Sequence, residues 1–192
     1  LTGVDMVGRD GVGAVSGSLL ESAEVTKVAV SGTITGASRV GGLVGLLSAT
    51  GPTSQAAVAV AGPTVSEAAS DVTVSGDEMV GGMVGDALDG TITKAATKGT
   101  MTGQSYVGGV VGRTSSMTLS DLAADVSVTA TQYDAGGVVG FAQGETALSD
   151  SAATGTATSP SAAGGLVGSI SGTSTITDTA ADVRVVGQYA AG

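Results

Sequence analysis

Ten hydroxyl-bearing residues fall into pairs whose spacing could do chemistry at a surface: Thr33 and Thr35, Thr73 and Ser75, Thr100 and Thr102, Ser127 and Thr129, Thr156 and Thr158. On a β-strand, residues two apart point to the same side, so each pair would present its hydroxyls and methyls together. Stacked strand on strand, the pairs would form two parallel ranks able to order water or to hydrogen-bond an extended partner. Carboxylates recur in the same way. Asp121, Asp150 and Asp178 occupy one repeated place, with Lys94 at the equivalent place earlier, and Asp125 and Asp182 follow a few residues on. Columns of like charge repel, and a bound Ca²⁺ would relieve them; the competing reading has each Asp holding its own turn by accepting backbone N–H bonds. The calcium-binding pattern Gly-Gly-x-Gly-x-Asp is absent, because apolar residues follow each glycine pair, and the reading therefore assigns no cofactor. Tyr106, Tyr133 and Tyr189, with Met79, fall two or three residues before successive glycine pairs and could form a stripe for stacking on sugar rings. No Asp/Glu cluster stands out from the repeat as a pair for glycoside cleavage or a lyase site. The chain has no His and no Cys, which removes the commonest general base and thiolate metal sites. The sequence points to a non-enzyme.

The element that would position these residues is a short stretch that recurs. It reads Val40-Gly-Gly-Leu-Val-Gly45, Val80-Gly-Gly-Met-Val-Gly85, Val107-Gly-Gly-Val-Val-Gly112, Ala135-Gly-Gly-Val-Val-Gly140 and Ala163-Gly-Gly-Leu-Val-Gly168. The first glycines, Gly41, Gly81, Gly108, Gly136 and Gly164, are separated by 40, 27, 28 and 28 residues. A period in this range is the signature of a stacked array. Each regular unit reads as three short strands: the glycine motif, then Thr91–Thr93 or its equivalents, then Thr100–Thr102 or its equivalents, each alternating polar, apolar, polar. The Ala pairs between second and third strands (Ala95-Ala96, Ala123-Ala124, Ala152-Ala153, Ala180-Ala181) read as a crowded corner that admits only small side chains.

One such unit cannot bury a face alone; stacked on its neighbours it can. The expected fold is all-β, a parallel β-solenoid of about 28 residues and three strands per coil and about six coils, forming a single repeat domain over 1–192. The glycine pairs Gly41-Gly42, Gly81-Gly82, Gly108-Gly109, Gly136-Gly137 and Gly164-Gly165 are expected to permit positive φ and close backbone approach at one corner of every coil. The longer second unit carries its excess over 48–66, where Gly51-Pro52 and Gly62-Pro63 bracket an inserted loop or hairpin. Gly11-Val-Gly-Ala-Val-Ser16 reads as a degenerate first copy with Val12 in place of the first glycine, and Thr2–Gly8 as a parallel of Thr102–Gly108. Because both ends read as the interior of a repeat, the array is expected to continue, by covalent extension or by identical chains meeting through exposed end coils.

Seven basic and seventeen acidic side chains give a net charge of −10, which repels phosphate backbones and anionic lipid surfaces. Nucleic-acid binding is therefore disfavoured, and no apolar run reaches the length of a membrane span, so membrane insertion is not expected. The glycine copies resemble the GLUG motif, a repeat of large bacterial surface proteins that include adhesin-like proteins and some IgA-specific metallopeptidases. The resemblance covers nearly the whole chain and implies an extracellular or cell-surface module, structural or adhesive, whose surface ligand the motif does not name. The peptidase chemistry does not carry over, because its zinc-binding helix with two histidines has no counterpart here. The Thr and Ser pairs are similar to the Thr-x-Thr array of solenoidal ice-binding proteins, which implies ice binding as the alternative function. Plain β-propensity, which favours Thr at outward strand positions, is the competing origin of the pattern.

Overall fold

In a computed structural model that describes residues 1–49 and 62–192, all regular secondary structure is β-strand, and every strand pair is parallel. The chain winds as a β-solenoid of about six turns, each advancing by about 28 residues. The coils have three sides, formed by sheets of eleven, seven and six strands. One coil shows the plan. Val84–Leu88 lies in the six-stranded sheet, Thr91–Gly103 in the eleven-stranded sheet and Ser105–Gly108 in the seven-stranded sheet; the next coil repeats this with Val111–Ser115, Thr118–Ala130 and Ala135–Gly136.

The count of three conceals a different division from the expected one. Each glycine motif straddles a corner: Val80-Gly81 ends a strand of the seven-stranded sheet, and Val84-Gly85 begins one of the six-stranded sheet. The expected second and third strands belong to one side and are continuous in Thr91–Gly103 and Thr118–Ala130. Each corner is tied to the next coil by one carbonyl that accepts two successive N–H groups. Val110 C=O takes those of Met83 and Val84 (2.9 and 3.0 Å), and Val138 C=O takes those of Val110 and Val111 (2.9 and 3.0 Å). The N–H groups of the corner are thus paired across coils.

The glycines of the motif work by absence of bulk and not by unusual backbone. None of Gly41, Gly42, Gly81, Gly82, Gly108, Gly109, Gly136, Gly137, Gly164 or Gly165 has positive φ, which corrects half of the expected role. The other half holds. A Cβ on Gly81 would overlap the carbonyl oxygen of Val84, and one on Gly112 would sit 2.6 Å from the backbone of Met79 and Val80. The seven- and six-stranded sheets therefore meet backbone against backbone at this corner.

The interior left to the coil is narrow and filled by aliphatic columns. Val80, Met83, Val84, Val107, Val110 and Val111 from the corner meet Ile92, Met101, Leu119 and Val128 from the large sheet, all fully buried. Val111 and Val139 are core residues, as their position between glycines predicts. One inward column of the large sheet alternates strictly through successive coils: Val4, Gly32, Val72, Gly99, Val126, Gly155, Val183. Its glycines take positive φ (146°, 120° and 113°), and a Cβ on Gly99 would strike the Val72 carbonyl. This superperiod of two coils has no counterpart in the spacing of the glycine motif.

The ladder also resets three registers. Val12 pairs with Val40 and Ser16 with Val44, so Gly13 and not Val12 stands where the first motif glycine belongs, and Val12-Gly-Ala-Val-Ser-Gly17 is the degenerate copy. Val4–Val7 pairs with Gly32–Thr35, which makes the start of the chain a third strand and not an approach to a glycine motif. Thr64–Ser66 is the second strand of its coil, paired with Glu24–Thr26 and Thr91–Thr93, so it is no part of the insertion expected over 48–66. Ser48 likewise ends the regular strand Val44–Ser48. Of the remainder, Ala49, Gly62 and Pro63 lie outside any strand, and residues 50–61, including Gly51-Pro52, fall outside the described residues.

Replacing Val111 by Asp places an unpaired carboxylate in the packed corner. The expected loss is about 3 kcal/mol or more, which for a domain of this size lowers the thermal midpoint by roughly 6–12 °C. A scan by circular dichroism with an unchanged midpoint would contradict the register.

Candidate functional site

The eleven-stranded sheet presents the one broad, regular surface on which the expected hydroxyl ranks lie. Pairing places Thr33, Thr73, Thr100, Ser127 and Thr156 in one rank, and Thr35, Ser75, Thr102, Thr129 and Thr158 in the other, in register across five coils. All ten are exposed or partly exposed, while the residues between them (Ile34, Val74, Met101, Val128 and Ala157) are fully buried. The ranks stop where the fold changes residue type, at Asp5 and Val7 on one side and Arg184 and Val186 on the other. Neighbouring hydroxyls bond to each other in two places, Thr35 to Ser75 at 3.1 Å and Ser127 to Thr156 at 3.0 Å. The same ladder continues on the second-strand side, where Thr93 meets Ser120 at 3.0 Å.

Beside the hydroxyl ranks runs a feature that sequence reading misassigned. Ala29, Ala69, Ala96, Ala123, Ala152 and Ala180 form one rank through six coils, and all are exposed. The expected crowded Ala-Ala corner does not exist: Ala95 pairs with Leu122, so the pairs at 95-96 and 123-124 are out of step by one residue. The rank is the floor of a shallow trough, with pockets of about 290 Å³ near Ala69 and about 160 Å³ near Ala123. One bank carries Ser31, Asp71, Lys98, Asp125, Thr154 and Asp182.

The other bank is the column that contains the expected acidic turn residues. Lys27, Glu67, Lys94, Asp121, Asp150 and Asp178 all have φ between 48° and 57°, a left-handed kink that bends the large sheet once per coil. Short polar Asp tolerates this backbone better than most side chains. Among the described residues, none of the Asp121, Asp150 and Asp178 carboxylates accepts a hydrogen bond, so the expected cap is a matter of backbone conformation. Among the described residues no group of three or more His, Cys, Asp or Glu is placed to hold a metal ion.

The aromatic stripe does not form. Met79 shares a rank with Tyr106, as the pairing of Val80 with Val107 requires, but counting back from Ala135 and Ala191 puts Tyr133 and Tyr189 one residue out of that rank. Tyr106 instead stacks on Phe141, ring centroids 5.1 Å apart. Phe141 follows Asp86 and Arg113 in one rank of the six-stranded sheet. There the Arg113 fork donates to both Asp86 oxygens (2.9 and 2.7 Å), and this bond holds the guanidinium pKa above its ordinary value. The Asp86 side chain is only 3% exposed, against 30% for Arg113. The sequence does hold a signal for this pair, because Asp86 and Arg113 each follow the last glycine of successive motif copies, 27 residues apart. A more exposed fork joins Arg39 to Asp10 and lowers the Asp10 pKa.

No known protein family, curated protein or solved structure matches the chain.

Two stability predictions follow from the ion pairs. Arg113→Met leaves a buried carboxylate without its partner, whereas Asp86→Ala leaves a guanidinium that reaches water. The first should destabilise by about 3 kcal/mol and the second by clearly less, measured by denaturant unfolding; the reverse order would contradict the burial assignment. For Asp10 the folded pKa lies below the unfolded one. Its contribution is therefore fully present above the ordinary carboxylate range and is lost as pH falls through the lowered value. Arg39→Gln should flatten the acid limb of a stability-versus-pH curve slightly, and more so at low salt than at high salt.

Proposed function

We propose that the chain is a non-enzymatic, extracellular surface repeat module, a stiff scaffold that is structural or adhesive and presents its large sheet to a partner. The observation that supports this best is the face itself: parallel ranks of small, polar and charged side chains held in register over five to six coils, above an interior consumed by close packing. An extended open array suits contact with an extended partner better than enclosure of a small substrate. The likeness of the glycine repeat to the GLUG motif and the acidic composition fit a cell-surface setting. Identical chains or further repeats meeting at the end coils would lengthen the scaffold into a filament, since parallel edges invite pairing. Cells displaying the chain should be retained under flow on protein-, polysaccharide- or mineral-coated surfaces more strongly than cells displaying the anchor alone. Equal retention on all three would remove the adhesive part of the reading.

A second reading has its own observation. The two hydroxyl ranks, Thr33 to Thr156 and Thr35 to Thr158, are in register and outward over five coils, an array of the kind that orders water, with Asp71, Lys98 and Asp125 beside the first rank. Thermal hysteresis and ice-crystal shaping by the purified chain decide between the two. The scaffold reading expects neither. Measurable hysteresis abolished by Thr100→Tyr or Thr129→Tyr at unchanged stability would establish the ice reading in its place.

A further inference from the structure

The large sheet is also complementary to itself. We propose that two copies of the chain pair through this face, antiparallel in coil order, about a two-fold axis that lies along the strands between the coil of Thr91–Gly103 and the coil of Thr118–Ala130.

Such an axis keeps every rank opposite its own kind and reverses the coil order. The exposed alanines then face alanines, and the hydroxyl ranks face hydroxyl ranks over the central four coils, with Arg184 and Val186 opposite Thr33 and Thr35 at each end. The charges decide the register. Lys94 falls opposite Asp121 of the second copy, Lys98 opposite Asp125 and Lys27 opposite Asp178, and the symmetry supplies each of these contacts twice. Asp71 faces the Thr154 hydroxyl. The one like-charge opposition, Glu67 against Asp150, is softened because Lys27 lies 3.9 Å from Glu67 in its own chain. Moving the axis by half a coil spacing in either direction destroys this match. Centred on the coil of Thr91–Gly103, it sets Lys94 and Lys98 against themselves and Glu67 and Asp71 against Asp121 and Asp125. Centred on the next coil, it sets Asp121 and Asp125 against themselves and Asp71 against Asp182. One register is selected and its neighbours are repelled, which is how charge specifies an interface.

The area is sufficient. Six coils at about 4.8 Å and a strand path of thirteen residues at about 3.3 Å give a face of roughly 1,200 Å² per copy. A stable interface takes about 800 Å² per partner. The pairing does not depend on the scaffold reading, and it competes with the ice reading, because both use the hydroxyl ranks.

Sedimentation equilibrium of the full 192-residue chain tests the proposal with a charge swap. The unaltered chain should sediment at twice the chain mass, more weakly in high salt. Lys94→Asp with Lys98→Asp in one chain, and Asp121→Lys with Asp125→Lys in another, should each give monomers, because every central contact then joins like charges. Mixed one to one, the two variants should form a heterodimer, since each like-charge contact becomes an opposite-charge one. Two variants that pair only with each other cannot be explained by misfolding, and circular dichroism of each checks the fold independently. A strict monomer at 100 μM, association that ignores both variants, or open-ended oligomers unaffected by the swap would each overturn the proposal.

Discussion

Contact of backbone on backbone at the glycine corner is the constraint on which the other features depend. With no side chain between them, the seven- and six-stranded sheets close to a distance that a single Cβ would prevent, as Gly81 against Val84 and Gly112 against Met79 and Val80 show. Closing that corner leaves a slender interior, and a slender interior explains the composition. Small and aliphatic side chains fill it, mostly Val, Leu, Ile, Met and Ala with Ser70 and Thr97 among them, and the four aromatic rings of the chain, Tyr106, Tyr133, Phe141 and Tyr189, all lie outside it. The corner also sets the phase of every coil, because its shared carbonyls bind each coil to the next at one place. From that phase follow the ranks on the large sheet.

Much of this was legible in the sequence, and the reason is local. A glycine motif at near-constant spacing announces stacking, and polar, apolar, polar triplets announce which side of each strand is buried; neither needs knowledge of distant contacts. The same logic located the hydroxyl ranks residue by residue, because Thr100 and Ser127 hold equivalent places relative to Gly81 and Gly108. What escaped was whatever depends on register between coils. The exposed Ala rank was misread as a corner because Ala95-Ala96 and Ala123-Ala124 look alike along the chain yet are offset by one in the ladder. Gly13 was overlooked because Ala14 replaces the second glycine and Ser16 the valine of its motif. The positive φ expected at the motif glycines sits instead at charged residues such as Lys94 and Asp121, where the kink of the large sheet is exposed and leaves the side chain free. The Asp86–Arg113 fork was legible but passed over: each residue follows the last glycine of its motif copy, so the repeat sets them side by side.

The two levels of periodicity divide the labour of the fold. The motif repeats every coil and fixes the corner, whereas the Val/Gly column repeats every second coil and adjusts the interior to side chains of unequal size. Where the large sheet carries Gly99, Met101 reaches the space above Gly82; where it carries Val72 or Val126, those valines approach Gly42 or Gly109 instead. The outer surface can then vary in charge from coil to coil without disturbing the core.

The most direct test of the central contact is equilibrium unfolding of a Gly108→Ala chain, with Ala123→Ser at the exposed alanine rank as the control. The methyl added at Gly108 would overlap the carbonyl oxygen of Val111 and press on the Gly140 amide nitrogen, both main-chain groups fixed by the ladder. The account predicts a stability loss of about 2 kcal/mol or more for Gly108→Ala, in the range of overpacked cores, and none of note for Ala123→Ser. Unaltered stability of the Gly108→Ala chain would show that the sheets do not meet at backbone contact, and the account of the corner would be wrong.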